Sequence, residues 1–252
     1  MVVSSYQWAE TLHGISIPAP RRPMEINALA TIPYVLYEQI RQMIIDGTLA
    51  PGQPLREQEL ERRFGTSRSS IREALRLLEL NGLATHAQRR GFRVVLYTER
   101  EIRQLYLLRA ELEAYAIMEL AEQQDLAPLL KRERHLQDRL ARCDPDRAVI
   151  DYLKLVRNSF VEIVAFVCNK PLSDAVNRLN ERCEPLRYNL LRRGYSDVRA
   201  SASYVDRVID ALHRRDFAVA AALRRECAHW ILPMVLRAYA EAVYPPAGDL
   251  PA

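Results

Sequence analysis

The sequence predicts a mainly α-helical protein in two parts: three short helices closed by a β-hairpin, then an all-helical bundle. Three observations carry this. Apolar residues recur at helical spacing over most of the chain. Glycine punctuates the region before Thr98, at Gly47, Gly52, Gly65, Gly82 and Gly91, and then almost disappears. Two stretches short enough for strands, about Ala84–His86 and Phe92–Val95, flank a basic turn containing Gly91.

Residues 1–30 read as a flexible tail, because Ile17-Pro-Ala-Pro-Arg-Arg-Pro23 carries too much proline for a regular helix. Leu36, Ile40, Met43 and Ile44 then share one helix face, which Gly47 and Pro51-Gly52 terminate. A second helix spans about Glu57 to Phe64, with Leu60 and Phe64 inward. Gly65-Thr66-Ser67 makes a tight turn, and Ser67 can cap a third helix whose inward face is Ile71, Ala74, Leu75 and Leu78. Asn81-Gly82 ends that helix. With the hairpin, residues 31–97 are predicted as a winged helix-turn-helix. Residues 98–244 are predicted as a second domain, with helices near 99–123, 126–142, 146–168, 171–193, 197–214 and 216–243. The end, 245–252, reads as another loose tail.

Composition narrows the function classes. Of the 252 residues, 49% are hydrophobic and 27% charged, as in an ordinary soluble globular protein. No apolar run reaches the roughly 18 residues of a membrane span. The first ten residues have no signal-peptide pattern. Cys143, Cys168, Cys183 and Cys227 form no C-x-x-C pair and read as reduced thiols, so a cytoplasmic location is expected. A net charge of +4, nearly all of the basic residues being arginine, permits nucleic-acid binding without requiring it.

The exposed face of the third helix carries the functional signal. Arg68, Arg72 and Arg76 stack at i, i+4 and i+8, with Ser69 and Ser70 at the helix start. After a short turn, such a helix can present its N-terminal side chains to base edges in a major groove. Arginine bonds guanine O6 and N7 in bidentate fashion. The turn Gln88-Arg89-Arg90-Gly91 would meet the backbone or adjacent minor groove. A solvated charged face is the alternative reading of the same residues.

The run Pro51-Gly52-Gln-Pro-Leu-Arg-Glu-Gln-Glu-Leu60, then Phe64-Gly65-Thr-Ser-Arg-Ser-Ser-Ile-Arg-Glu-Ala-Leu75 and Leu78-Glu-Leu-Asn-Gly-Leu83, resembles the GntR family of bacterial regulators. The resemblance implies base or phosphate contacts from Arg68 and Arg72, support from Ser67, Ser69 and Ser70, and a wing at Arg89, Arg90 and Gly91. Where some members carry a basic residue before the conserved Glu-Leu pair, this chain has Gln58. Glu101-Ile-Arg-Gln-Leu-Tyr-Leu-Leu-Arg-Ala-Glu-Leu-Glu113 and Val208–Asp216 are similar to the FCD effector domain of the FadR branch. That implies a homodimer on an inverted-repeat operator and a small-molecule effector. Relief of repression is the default, and activation also occurs in the family.

Many FCD domains hold a divalent metal with one Asp and three His. Here the resemblance puts those positions on Arg157 and Val161 (or Val156 and Phe160, one residue back), Val205 and Cys227, with His229 two residues later. The expected pocket is therefore metal-free and needs no cofactor. Arg109 and Arg157 would bind an anionic or amphipathic organic effector through paired N–H donors. Val161 and Val205 would form an apolar wall, and Cys227 and His229 would lie nearby. An Arg157 pointing to solvent is the alternative.

No phosphate loop, nucleophile elbow or H-E-x-x-H occurs. The pairs Glu111/Glu113 and Asp144/Asp146 read as solvated charges, so no enzyme is expected. The runner-up is an architectural DNA-binding protein whose helical part only dimerises.

Overall fold

The computed structural model describes residues 31–144, 149–194 and 198–244. The two predicted tails, 1–30 and 245–252, lie outside the described residues. The winged part comprises α1 (Ile32–Ile45), β1 (Pro54–Leu55), α2 (Glu57–Phe64), α3 (Arg68–Leu80), β2 (Ala84–Ala87) and β3 (Gly91–Val94). Its core is the face that the spacing predicts: Ile40 of α1 and Ile71, Ala74, Leu75 and Leu78 of α3 are fully buried, with Leu83 closing the end. Gly65 stops α2 in the left-handed conformation, at φ 61°, with its N–H on the Glu61 carbonyl. That sharp exit turns the chain into α3.

The sheet has three strands in the order β1-β3-β2, all antiparallel, with Leu55 opposite Phe92 and Ala84 opposite Val94. The two-residue β1 was not expected from the sequence. Proline is tolerated there because Pro54 opens an edge strand.

The helical part comprises α4 (Glu99–Glu119) with a 3-10 turn at Leu120–Glu122, then α5 (Ala127–Arg142), α6 (Val149–Phe166), α7 (Lys170–Arg192), α8 (Val198–His213) and α9 (Phe217–Val243). A capping box fixes the start of α4: Thr98 accepts from the Glu101 backbone N–H, and the Glu101 carboxylate accepts from the Thr98 N–H. α4 and α9 run antiparallel, as the ion pairs Glu111–Arg225 and Glu113–Arg224 and the bond from Tyr97 N–H to the Tyr239 hydroxyl show. One apolar cluster fills the bundle around Ile117, Leu129, Ile163, Val176 and Leu212. A second, around Tyr97, Tyr106, Leu186 and Val235, fills the end nearest the winged part.

Candidate nucleic-acid interface and effector site

Ser67 caps α3: its hydroxyl accepts from the Ser70 backbone N–H at 3.3 Å and contacts the Ser69 and Ser70 hydroxyls. That cap leaves the first turn of α3 facing solvent. Arg68, Ser69, Arg72 and Arg76 are all exposed. Arg68, Arg72, Arg89, Arg90 and Gly91 line one cleft between α3 and the wing. Ser67, Ser69, Ser70 and Arg76 lie outside its walls. The wing turn closes by a bond from Arg90 N–H to the Ala87 carbonyl, with Arg89 at φ 67° and Gly91 at φ 71°. A left-handed arginine at the tip is conformationally costly, so this loop shape is imposed by the strands that flank it.

Glu57, at the start of α2, joins the two leading arginines. Arg68 Nε donates to its Oε2 at 2.7 Å and Arg72 Nε to its Oε1 at 3.0 Å. Burial alone would raise the Glu57 carboxyl, but these two partners outweigh it and hold the group below the usual carboxylate range. Arg68 is thus held through Nε and Arg72 through Nε and one terminal nitrogen, which leaves the other terminal N–H groups of both without a bond to Glu57. Sequence reasoning did not single out Glu57; its signal was its place at the start of α2, across the turn from α3.

Inside the bundle lies a second polar group. Arg109 of α4, Asn180 and Arg187 of α7, and Arg224 of α9 surround Glu113 and Tyr106. Arg224 donates to Glu113 and stacks over the Phe160 ring at 4.5 Å. Arg109 donates to Asn180 Oδ1 at 3.3 Å and stands 5.0 Å over the Tyr106 ring. Burial and the neighbouring Arg109 charge both push the Arg187 guanidinium down from its ordinary value. Arg109 Nε, Arg187 Nε, Asn180 Nδ2 and the Tyr106 hydroxyl are buried without a hydrogen-bond partner. Glu113 thus serves Arg109 and Arg224, while the carboxylate acting on Arg187 is Glu184, and several donors are left over. Buried unpaired donors are costly, and a carboxylate or phosphate would satisfy several at once.

Comparison with known proteins decides the family. The profile for bacterial regulatory proteins of the gntR family matches residues 35–94, and the FCD domain profile matches residues 104–229. The chain belongs to the GntR family. It fits the FadR-type branch, in which an FCD domain follows the winged part. It is 31% identical to the uncharacterized HTH-type transcriptional regulator YdhC of Bacillus subtilis, over 59% of this chain and 67% of that one. It is 28% identical to the HTH-type transcriptional repressor GlaR of Escherichia coli, over 81% and 96% of the two chains. Among solved structures, E. coli McbR/YncC superposes with a TM-score of 0.64 at 21% identity, covering 83% of this chain and 99% of that one. This GntR-family chain is a transcriptional regulator, not an enzyme.

The predicted pocket residues separate in the structure. Arg109 stands in the buried cluster. Arg157 does not join it: its guanidinium donates to Glu181 at 2.8 Å and to Glu184 at 3.2 Å on α7. It is therefore neither solvent-directed nor a free anion receptor. The buried positions of α6 include Tyr152, Leu155, Ser159, Phe160, Ile163 and Val164. Val161 is half-buried and Val205 sits in the bundle core. Cys227 is half-buried, with its thiol pushed up by burial, and His229 is exposed. The positions to which the resemblance assigns metal ligands carry a paired arginine, valines, a phenylalanine and a thiol that burial pushes up. That donor set does not fit a divalent metal. Among the described residues no three His, Cys, Asp or Glu side chains converge as ligands. All four cysteines are free thiols, and no described helix is long and apolar enough to cross a membrane.

Proposed function

We propose that this regulator represses transcription in the cytoplasm as a homodimer on an inverted-repeat operator, and that an anionic organic effector in the buried cluster releases it. The division follows the predicted boundaries: residues 31–97 grip DNA, and 98–244 bind effector and partner. The carrying observation is the cleft that holds Arg68 and Arg72, oriented by Glu57, opposite the wing arginines Arg89 and Arg90. Two such clefts related by a two-fold axis need matching half-sites. Ser67, Ser69, Ser70 and Arg76 would add backbone contacts beside the cleft, with Gly91 letting the wing approach closely. On the effector side, Arg187 and Arg224 take the place of Arg157 beside Arg109, and Val205 belongs to the apolar core of the bundle. Arg157, Val161, Cys227 and His229 have no contact role in this reading.

Arg72→Ala tests the DNA reading. The operator is selected from a random pool, and affinity is measured over a salt series. The substitution should cost about 1–3 kcal/mol on the operator and relax specificity at one base position of each half-site. Equal losses on operator and random DNA would reduce Arg72 to a phosphate contact.

A further inference from the structure

The winged part and the bundle meet through α7. On one side of this helix Glu181 and Glu184 accept from Arg41 of α1, at 2.5 Å for the Arg41 Nε to Glu181 contact. Arg157 of α6 holds the same two carboxylates from behind. The cluster is largely out of solvent: Arg41, Glu181 and Glu184 side chains are 12%, 16% and 10% exposed. Next along the helix, Arg182 packs so closely on Gly82 that a Cβ there would lie 2.8 Å from its Cδ. Arg182 also reaches the Tyr97 hydroxyl, which donates to the Gly82 carbonyl. Asn180 and Arg187, four residues before and three after Glu184 and so on nearly the same stripe of α7, enter the buried cation cluster.

Pro185 directly follows Glu184, inside the helix. It has no N–H, so the Glu181 carbonyl loses its helical donor, and the turn from 181 to 185 is the weak point of α7. A cavity of about 170 Å³ adjoins this turn, lined by Pro185, Leu186 and Asn189 of α7 and by Ile44, Gly47 and Val95 of the winged part. The weak turn therefore has room to move.

We infer that the Arg41–Glu181–Glu184 cluster is a latch, and that an anion entering the buried cluster opens it by shifting the Pro185 turn of α7. This rests on the effector reading above. The direction follows from charge and from unmet hydrogen bonds. An anion bound by Arg187 and Asn180 satisfies donors that the latched state leaves unpaired, and so favours whichever position of the turn brings them to it. It also places negative charge next to Glu184, which the latch needs as a carboxylate facing Arg41. Both effects work against the closed latch, which otherwise fixes the winged part on the bundle. Opening it frees the two recognition helices from the spacing that the operator demands.

The test reads the latch without any effector, in the full-length chain, as affinity for the selected inverted repeat. Arg41→Glu should weaken operator binding roughly fivefold or more, the lower end of ordinary coupling between sites. The swapped variant R41E/E181R restores the ion pair and should recover most of the loss. Recovery excludes a direct DNA contact by Arg41. A double-mutant cycle then joins latch to pocket: Arg187→Met should change operator affinity in the wild-type background but not in Arg41→Met. Melting temperatures confirm that each variant is folded, and Arg41→Met serves in place of Arg41→Glu if charge reversal prevents folding. No recovery in the swap, or additive effects in the cycle, would overturn the latch. Failure of the effector reading would show separately, as no anion raising the melting temperature of the wild-type chain.

Discussion

Glu133 shows at the residue scale how burial resets chemistry in this bundle. Its side chain is fully buried on α5, accepting from the Ser159 hydroxyl at 2.8 Å while its other oxygen has no partner. Burial pushes its pKa up to about 8, against the opposing Ser159 bond. The group is therefore protonated in the folded chain at neutral pH and ionised in the unfolded one, whose carboxyl keeps the ordinary value of 4.5. A raised carboxyl means that the folded state binds more protons, so its contribution to stability is full below the unfolded pKa. It is lost as pH rises toward 8. Glu133→Gln keeps a hydrogen-bonding partner for Ser159 and removes the titration. The difference in melting temperature between Glu133→Gln and wild type should grow in favour of the variant between pH 5 and 8. A difference that stays flat across that range would place the ionised carboxylate in the native state. The same logic separates Arg157 from Arg109: the charge of Arg157 is already matched by two carboxylates, whereas Arg109 keeps a buried Nε without a hydrogen-bond partner, 3.9 Å from Glu113.

At the scale of elements, α4 and α9 leave a surface that a monomer gains nothing by showing to water. Leu108, Tyr115 and Met118 of α4 are exposed, and the antiparallel pairing of the helices sets the exposed Val219 of α9 beside the last two. The Glu111–Arg225 pair lies along the same strip. Exposed apolar side chains flanking an ion pair on adjacent helices are a candidate for an isologous contact with a second copy. Tyr115→Asp with Met118→Asp should turn a dimer into a folded monomer by analytical ultracentrifugation; a double variant that sediments as a dimer would move the interface elsewhere. This strip, unlike the helices that bear it, was not legible in the sequence. The helix spans were, because caps and breakers act locally: Ser67, Gly65 and the Thr98–Glu101 box each set an end within one turn. β1 escaped because two residues have no periodicity. Arg68, Arg72 and the wing could be read because they are exposed charges at regular spacing. Arg187, Arg224 and Asn180 could not, since a polar residue in a helical pattern is assigned outward unless something else calls it in. Here that something is the contact of Arg224 with Glu113 and of Asn180 with Arg109 and Arg187, across separations of up to 111 residues.

For the whole molecule, the question is whether the buried cluster and the DNA cleft share one free energy. In a dimer that exchanges a DNA-gripping state for an effector-bound one, each ligand must weaken the other by the same factor. In the proposed reading the effector must be small enough to fit among Phe160, Tyr106 and the three arginines, and anionic enough to engage them. A screen of organic acids and phosphate esters by thermal shift should find compounds that raise the melting temperature, by an amount that follows the ligand concentration over its Kd. Arg187→Met should abolish that shift, and should change operator affinity only while the Arg41 latch is present. Arg157→Ala, which removes a latch partner and not a pocket donor, should keep ligand binding and alter the response of DNA affinity to it. The decisive measurement is reciprocity: the factor by which the acid lowers operator affinity, set beside the factor by which operator DNA lowers affinity for the acid. Equal factors greater than one fit a repressor released by its effector, and equal factors below one would make the same ligand a corepressor. A ligand that binds through Arg187 and leaves operator affinity untouched would detach the pocket from the DNA cleft and leave the bundle as a dimerisation platform alone.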